Sequence, residues 1–299
     1  MSTRIDICKS LFTCWHKKVI LSWHENIGIG MPKINEANTA QRLETFIKNK
    51  LKESGLDGYV IGLSGGIDSS LSATIAVKAV GSKKVLGMIL PYLRSSDQSE
   101  KDAFKLADFL DIKAEKVDIS PMINAYYEDI EKIDNVRAGN KMARERMSIL
   151  FDRAFAKNLL VLGTSNRTEI CLGYGTWHGD MACSVNPIGM LYKIEVRAMA
   201  EYYGIPESIR SKKPSADLWP GQTDEGELGL EYEKVDRLLY KLIEEGVADR
   251  NELNEAGFDD NFIDKTIMLI NRFYFKRHLP EIADLGLKKI PDKIILSGR

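Results

Sequence analysis

Apolar runs and helical patterns alternate along the first half of the sequence. Short, nearly continuous apolar runs occupy residues 59–63, 85–90, 114–119 and 159–162. Apolar positions at helical spacing occupy residues 38–54, 69–80, 99–110 and 136–155. Apolar runs of this length without polar alternation predict strands buried on both faces, and parallel strands need crossover connections such as helices. The alternation therefore predicts a doubly wound parallel sheet of the α/β class.

The alternation of strand and helix patterns ends near Lys193. Helical patterns recur at residues 194–203, 232–245 and 261–273, which predicts additional C-terminal helices. A Pro/Gly-rich segment, residues 204–229, separates the first two, and so long a loop in a compact domain is usually a functional lid or disordered. The predicted organisation is an N-terminal extension of unknown structure, a single domain and a C-terminal tail, over residues 1–35, 36–285 and 286–299.

Composition narrows the class of partner. Lysine and arginine total 42 against 43 aspartates and glutamates, a net charge of −1, so the chain has no overall basic field for a nucleic acid. No apolar run approaches the ~18 residues of a membrane span, and the beginning lacks a secretory pattern. Four cysteines without C-x-x-C spacing favour reduced thiols. These features predict a cytoplasmic protein with neither a nucleic acid nor a membrane partner.

The strongest local signal is a glycine turn between the first predicted strand and the next helix. It consists of Gly62, Leu63, Ser64, Gly65, Gly66, Ile67, Asp68 and Ser69. Adjacent glycines allow positive φ angles, so backbone N–H groups can converge on an anion at the helix start. A carboxylate in such a cradle implies a Mg²⁺ ion between it and a phosphate. The alternative is an ordinary tight turn in which Asp68 or Ser69 caps the helix.

The turn resembles the phosphate-binding loop of the N-type ATP pyrophosphatases, which cleave ATP between its α and β phosphates. Further segments lie at residues 138–147, 162–169, 179–180, 213–218, 221–225 and 276–280. In this order and spacing they resemble the NAD synthetases over roughly residues 38–280. The resemblance implies a Rossmann-like, adenine nucleotide hydrolase fold and a ligase that forms a C–N bond. ATP would activate deamido-NAD (nicotinic acid adenine dinucleotide) as an adenylate, and ammonia would convert the adenylate to NAD.

The resemblance also assigns residues to roles. Asp68 and Glu169 would bind Mg²⁺, and ATP as co-substrate would contact the glycine turn together with Thr164, Lys193 and Ser215. Contacts to the dinucleotide are implied for Arg144, Trp177, Ser184, Phe275 and Lys276. Lys193 would offset charge on the leaving pyrophosphate, and Asp180 would bind and deprotonate ammonium, which has no lone pair of its own. A homodimer with deamido-NAD near the subunit interface is implied as well.

At four positions the sequence departs from the family pattern. Trp177, Ser184, Phe275 and Ser215 stand where the family often has lysine, aspartate, histidine and threonine. Ser215 keeps the hydroxyl group. The first three positions concern the dinucleotide, so we expect its nicotinate half to be contacted differently, for example by stacking on Trp177.

Most of these residues also fit ordinary structural roles. A threonine or glutamate at a helix start can cap the helix or offset its dipole, a helix-surface lysine or arginine usually faces water, and a loop aspartate often makes a turn. These alternatives concern Thr164, Glu169, Lys193, Arg144 and Asp180.

Two other functions compete with the ligase. A tRNA-modifying enzyme could share the glycine turn, although the basic surface and cysteine pairs expected of it are missing. A nucleotide-binding regulator that has lost its chemistry is the second. Glutamine-using synthetases carry an added amidase domain, whereas only about 35 residues precede the match here, far fewer than the ~100 of a domain. The sequence therefore predicts free ammonia as the nitrogen source.

Overall fold

The computed structural model describes residues 24–26, 31–93, 96–212, 215, 226–227 and 229–285. The strands are β1 (His24–Asn26), β2 (Pro32–Ile34), β3 (Gly58–Gly62), β4 (Val85–Ile89), β5 (Lys113–Lys116) and β6 (Leu159–Val161). The α-helices are α1 (Glu36–Ser54), α2 (Ile67–Val80), α3 (Asp97–Phe109), α4 (Ser120–Tyr127), α5 (Asn135–Ala156), α6 (Arg167–Leu172), α7 (Lys193–Tyr202), α8 (Glu207–Arg210), α9 (Tyr232–Tyr240), α10 (Arg250–Glu255) and α11 (Asp260–Arg272). Short 3₁₀ turns lie at Ser82–Lys84 and Tyr274–Arg277, and a π-helical turn at Lys241–Glu245 follows α9.

A parallel four-stranded sheet with strand order β5-β4-β3-β6 forms the centre of the structure. The chain proceeds outward from β3 to β4 and β5, then returns to place β6 on the other side of β3. This reversal is a topological switch point, where ligands bind beyond the strand carboxyl ends in open α/β sheets. The predicted fold class is confirmed, and the switch point lies at the ends of β3 and β6.

Helices cover both faces of the sheet. Because side chains alternate along a strand, Tyr59 and Ile61 of β3 face one way and Val60 the other. The first pair packs in a core cluster with residues of α1, α2, α3 and α7, whereas Val60 packs with residues of α4 and α5. The two apolar layers hold the ends of β3 in a fixed position.

The C-terminal helices add a separate apolar cluster beside the sheet. Val235 and Leu239 of α9 pack with Leu172 of α6 and Tyr192, which precedes α7. This cluster packs α9 against the end of α6 and the beginning of α7.

Most of the predicted elements match observed ones. The strand predicted over residues 114–119 is the edge strand β5, so its prediction as buried on both faces is wrong and two of its four residues are exposed. The helix predicted over residues 232–245 is α-helical only to Tyr240. The short strands β1 and β2 and the helices α4, α8 and α10 were not predicted, because short elements carry little periodicity. A helix start at Glu169 was considered as an alternative role for that residue, and α6 begins at Arg167.

The structure describes only part of the predicted N-terminal extension and none of the predicted C-terminal tail. β1 pairs with β2 in antiparallel register, and Met31 and Ile34 are buried in two of the core clusters. Half of the Pro/Gly-rich segment over residues 204–229, considered above as a lid, and all of the tail over residues 286–299 lie outside the described residues. Within the part of the chain that the structure describes, no helix is long and apolar enough to span a membrane. Cys171 and Cys183 are free.

Two glycines with similar φ angles, one in the glycine turn and one outside it, test whether the turn depends on close packing against α3. Gly65 has φ +73°, and a Cβ atom there would lie 2.2 Å from the carbonyl oxygen of Ser99. Gly55 has φ +70° with open space around it. We expect Gly55→Ala to lower the free energy of unfolding by ~1–2 kcal/mol, through the left-handed conformation alone. Gly65→Ala should cost a further ~1–3 kcal/mol because the backbone of α3 must move. Equal losses in chemical denaturation would show that the turn does not depend on this close approach.

Candidate active site

A cavity of about 690 Å³ opens at the switch point. Ten of the sequence-predicted site residues line it: Gly62, Leu63, Ser64, Asp68, Ser69, Thr164, Glu169, Asp180, Ser215 and Lys276. They come from the ends of β3 and β6, from the first turns of α2 and α6, and from segments far along the chain. The structure therefore brings together most of the predicted phosphate, metal and ammonium residues in one cleft.

Hydrogen bonds within the glycine turn fix its shape. The Ser64 and Ser69 hydroxyl oxygens lie 3.0 Å apart, the backbone N–H of Gly66 donates to the Ser64 hydroxyl at 3.2 Å, and the Ser69 hydroxyl lies 3.1 Å from the Gly66 carbonyl oxygen. Gly66 is the N-cap of α2 and has no side chain, and the Asp68 carboxylate is directed elsewhere. The turn is thus closed without a side-chain cap, contrary to the alternative in which Asp68 or Ser69 caps the helix.

Two carboxylates converge on a buried lysine. Lys193 is 1% exposed, and its Nζ lies 2.5 Å from Asp68 Oδ2 and 3.4 Å from Glu169 Oε1. The same ammonium lies 5.1 Å from the centre of the Tyr232 ring. A lysine at a helix start usually faces water, so the surface role considered for Lys193 is wrong. The three charged groups predicted for metal and phosphate binding form one cluster.

Asn166 connects these groups and was not assigned a role from the sequence. It is fully buried, and its Nδ2 donates to Asp68 Oδ1 at 2.9 Å. Its Oδ1 accepts from the Glu169 backbone N–H, while Glu169 Oε2 accepts from the Asn166 backbone N–H, which completes a capping box at α6. The N-x-x-E spacing of Asn166 and Glu169 in the sequence is the pattern that indicates such a capping box. Glu169 therefore caps α6 with one oxygen and faces Lys193 with the other.

Asp180 lies on the loop after α6, and its exposed side chain lines the cavity. Its Oδ1 accepts a hydrogen bond from the Thr176 backbone N–H at 2.6 Å. The Thr176 hydroxyl in turn donates to Asn140 of α5 at 2.7 Å. The surrounding protein raises the pKa of Asp180 by desolvation, against the lowering effect of the Thr176 hydrogen bond. A carboxylate with a raised pKa is a stronger base, as proton abstraction requires.

Lys276 fixes the same loop from the other side. Its Nζ donates to the carbonyl oxygens of Gly173 at 2.8 Å and Gly175 at 2.7 Å. It also lies 4.5 Å from the centre of the Phe273 ring. Desolvation lowers the pKa of Lys276, opposed by the nearby Asp180 charge. The loop that carries Asp180 is therefore held by side chains from two distant elements.

The residues assigned to the dinucleotide divide into two groups. Arg144 Nε donates to the Trp177 carbonyl oxygen at 3.2 Å, and the Trp177 ring meets Phe275 edge to face at 5.3 Å between centroids. Together with Lys276, these residues surround the Asp180 loop. Ser184 does not join them, since its hydroxyl accepts from the Val161 backbone N–H at the end of β6. Of the residues assigned to the dinucleotide, Lys276 lines the cavity, whereas Arg144, Trp177, Phe275 and Ser184 do not.

The donor set at the carboxylate pair suits one particular kind of metal ion. Among the described residues, no group of three or more His, Cys, Asp or Glu side chains could hold a metal by itself. Mg²⁺ is usually bound by one or two carboxylates together with water and phosphate oxygens. Asp68 and Glu169 converge on a single cation, so they fit Mg²⁺ bound together with a polyphosphate.

Known proteins resemble this chain over most of its length. A family model described as NAD synthase matches residues 39–280. An NH₃-dependent NAD⁺ synthetase from Trichlorobacter lovleyi is 44% identical over 257 residues, which cover 86% of this chain and 94% of that protein. The structure of an NMN synthetase from Francisella tularensis has 31% identity and a TM-score of 0.75, covering 85% of this chain and 100% of that one. The NH₃-dependent NAD synthetase of Campylobacter jejuni has 33% identity and a TM-score of 0.71, covering 84% and 100%.

A buried glutamate beside the site should make stability depend on pH. Glu195 of α7 is buried, its Oε2 accepts from the Tyr192 backbone N–H, and burial raises its pKa from 4.5 to about 7. The folded state thus favours the protonated form, and this stabilisation is complete below pH 4.5 and lost as the pH rises through about 7. Relative to Glu195→Gln, which is neutral throughout, the native chain should lose up to about 3 kcal/mol of unfolding free energy over this interval.

Urea denaturation at several pH values measures this difference directly. The control is Glu201→Gln, a change at an exposed glutamate of the same helix. If the difference between the native chain and Glu195→Gln stays constant from pH 4.5 to pH 8, the raised pKa is refuted.

Proposed function

The chain belongs to the NAD synthase family, and we propose that its cavity converts deamido-NAD to NAD with ATP and ammonia. The nicotinate carboxylate attacks the α phosphorus of ATP, pyrophosphate leaves, and an acyl adenylate forms. Ammonia then attacks the adenylate carbonyl, and AMP leaves as NAD is produced. The observation that carries the proposal is that Asp68 and Glu169 converge on the buried Lys193 beside the glycine turn, and that both carboxylates line the same cavity as Asp180.

We assign the first half-reaction to the end of the cavity formed by β3 and β6. The glycine turn and the start of α2 would bind the phosphates of ATP through backbone N–H groups and the helix dipole. Thr164 and Ser215, which line the cavity, would contact ATP. Asp68 and Glu169 would hold Mg²⁺, which neutralises phosphate charge when bound. Lys193 is already surrounded by carboxylates, and it would stabilise the charge that develops on pyrophosphate.

We assign the second half-reaction to the Asp180 loop. Ammonium must lose a proton before it can attack, and Asp180 combines negative charge, which attracts the cation, with a raised pKa. The loop is held by Lys276 and by the Thr176–Asn140 hydrogen bond. A base that cannot move away from the adenylate carbonyl favours attack by ammonia over hydrolysis by water.

The aromatic group around Trp177 would receive the nicotinate half of the dinucleotide. Trp177 and Phe275 are in edge-to-face contact, with Arg144 and Lys276 adjacent. Aromatic faces stack on planar rings, and the two cations complement the carboxylate and phosphates of the substrate. These contacts would replace the lysine and histidine that relatives often have at these positions.

We further propose that the protein acts as a homodimer through α4 and α5. Large apolar side chains are exposed on these neighbouring helices: Met122, Tyr126, Val136, Phe151 and Phe155. Phe155 is 93% exposed, and contiguous exposed apolar surface marks interaction sites. Arg144 lies on the same helix α5, so the dinucleotide site would adjoin the interface. The cytoplasmic location predicted from composition suits a reaction that consumes ATP.

Incubation with defined substrates tests the function. With ATP, Mg²⁺, deamido-NAD and ammonium, the protein should form NAD and AMP in equal amounts, measured by chromatography, and glutamine should not replace ammonium. Nicotinate mononucleotide is the competing substrate to include, because one solved relative is described as an NMN synthetase. Binding of ATP without release of AMP, or AMP release that depends on tRNA, would overturn the proposal in favour of a regulator or a tRNA-modifying enzyme.

Two carboxylate variants separate the half-reactions. Asp68→Asn removes a charge from the phosphate end and should reduce pyrophosphate release by ~10²-fold or more. Asp180→Asn should still release pyrophosphate but slow amide formation by ~10²–10⁴-fold. Rapid-quench measurement of pyrophosphate and NAD distinguishes the steps, with Asp152→Asn on the surface of α5 as the control. If Asp180→Asn slows both products equally, the assignment of Asp180 to the second step is wrong.

A further inference from the structure

A buried aspartate joins the two helix starts that carry the cluster of charges. Asp236 of α9 is 0% exposed and does not line the cavity. Its Oδ1 accepts a hydrogen bond from the Thr168 hydroxyl, and its Oδ2 accepts from the Ile194 backbone N–H at 2.9 Å. The Thr168 oxygen also accepts from the Lys193 backbone N–H at 3.0 Å. One carboxylate thus holds the first turns of α6 and α7 together.

The groups held in this way are adjacent to the groups that would act on ATP. Thr168 precedes Glu169 in α6, and the two N–H groups fixed by Thr168 and Asp236 belong to Lys193 and its neighbour Ile194. Tyr232 lies one turn before Asp236 on α9, and its ring lies over the Lys193 ammonium. Helix α9 therefore fixes both the backbone and the side-chain end of Lys193.

The chemical nature of residue 236 supports a positional role. Burying a carboxylate costs free energy, and replacing buried charged groups by well-packed apolar residues often leaves stability unchanged or raises it. Both carboxylate oxygens are used, each toward a different helix start. A single apolar side chain could fill the space but could not fix the separation of α6 and α7.

We propose that Asp236 is a positioning residue for adenylation, which sets the placement of Lys193 relative to Glu169 through Thr168 and the backbone of residues 193 and 194. The inference rests on the proposed function of this site. It extends that function to α9, which contributes to the first half-reaction without contacting a substrate. The second half-reaction depends on the Asp180 loop, which Asp236 does not touch, and should be unaffected.

The test uses two variants in the same chain of hydrogen bonds. Asp236→Asn keeps the shape but removes the charge, and Thr168→Val removes the hydroxyl at nearly constant volume. Each should reduce the rate of pyrophosphate release by about 10- to 100-fold, since small misplacements of acting groups have effects of this size. The KM for deamido-NAD and the fraction of adenylate converted to NAD should stay unchanged. The double variant should be no slower than the slower single variant, because both act through one connection.

Controls separate positioning from simple loss of stability. Thr168→Ser keeps the hydroxyl and should restore most of the rate. Thr266→Val removes an equally buried hydroxyl of α11 that donates to the Phe262 carbonyl of its own helix, and it should lower stability without slowing pyrophosphate release. The proposal is overturned if Asp236→Asn and Thr168→Val both fold and release pyrophosphate at the native rate. It is also overturned if these variants slow both half-reactions equally and raise the KM for deamido-NAD by a similar factor.

A crystal structure of Asp236→Asn, or of Thr168→Val where Asp236→Asn does not fold, supplies a readout that needs no activity. Displacement of the Lys193 backbone from its position beside Thr168 supports the inference, and an unchanged α7 start contradicts it. If the native protein makes no pyrophosphate from ATP and deamido-NAD, the proposed function fails on that result alone. The crystallographic comparison then still decides whether Asp236 places Lys193.

Discussion

The burial of one lysine between two carboxylates is the interaction on which the site depends. Placing an ammonium group in the interior costs several kcal/mol unless partners of opposite charge are close, and Lys193 is only 1% exposed. Asp68 and Glu169 supply those partners, and Asn166 hydrogen-bonds to both residues. Two negative groups around one positive group leave an excess of negative charge. The cluster is therefore suited to a further cation that accompanies a polyphosphate.

The topology of the sheet makes this convergence possible. Asp68 follows β3, Glu169 follows β6, and these strands are neighbours although about one hundred residues of chain separate them. Their carboxyl ends open on one edge, so the first turns of α2 and α6 start side by side. Lys193 is the first residue of α7, whose start is bound to α6 through Thr168. Strand order thus brings the two carboxylates together, and the packing of helix ends adds the lysine.

The sequence predicts what depends on local pattern and fails where position depends on distant partners. The buried runs of β3 and β4 and the stripes of α1 to α3 were readable because burial repeats along each element. The edge position of β5 was not, since strand order is a property of the whole sheet. Lys193 was predicted to act on phosphate only by resemblance, because a lysine taken alone is expected at the surface. Asp236 gave no signal, as its partner Thr168 lies 68 positions away.

The two halves of the cavity are supported by different parts of the molecule. The phosphate end rests on the buried strands of the sheet, on the hydrogen-bonded glycine turn and on the buried start of α7. The Asp180 loop is instead held from outside the sheet, by Asn140 of α5 through Thr176 and by Lys276 beyond α11. Because the supports are separate, residues around the Asp180 loop can change while the end of the cavity at the glycine turn stays fixed. We therefore expect the differences from the family pattern at Trp177 and Phe275 to leave the proposed phosphate site at the glycine turn, Asp68, Glu169 and Lys193 undisturbed.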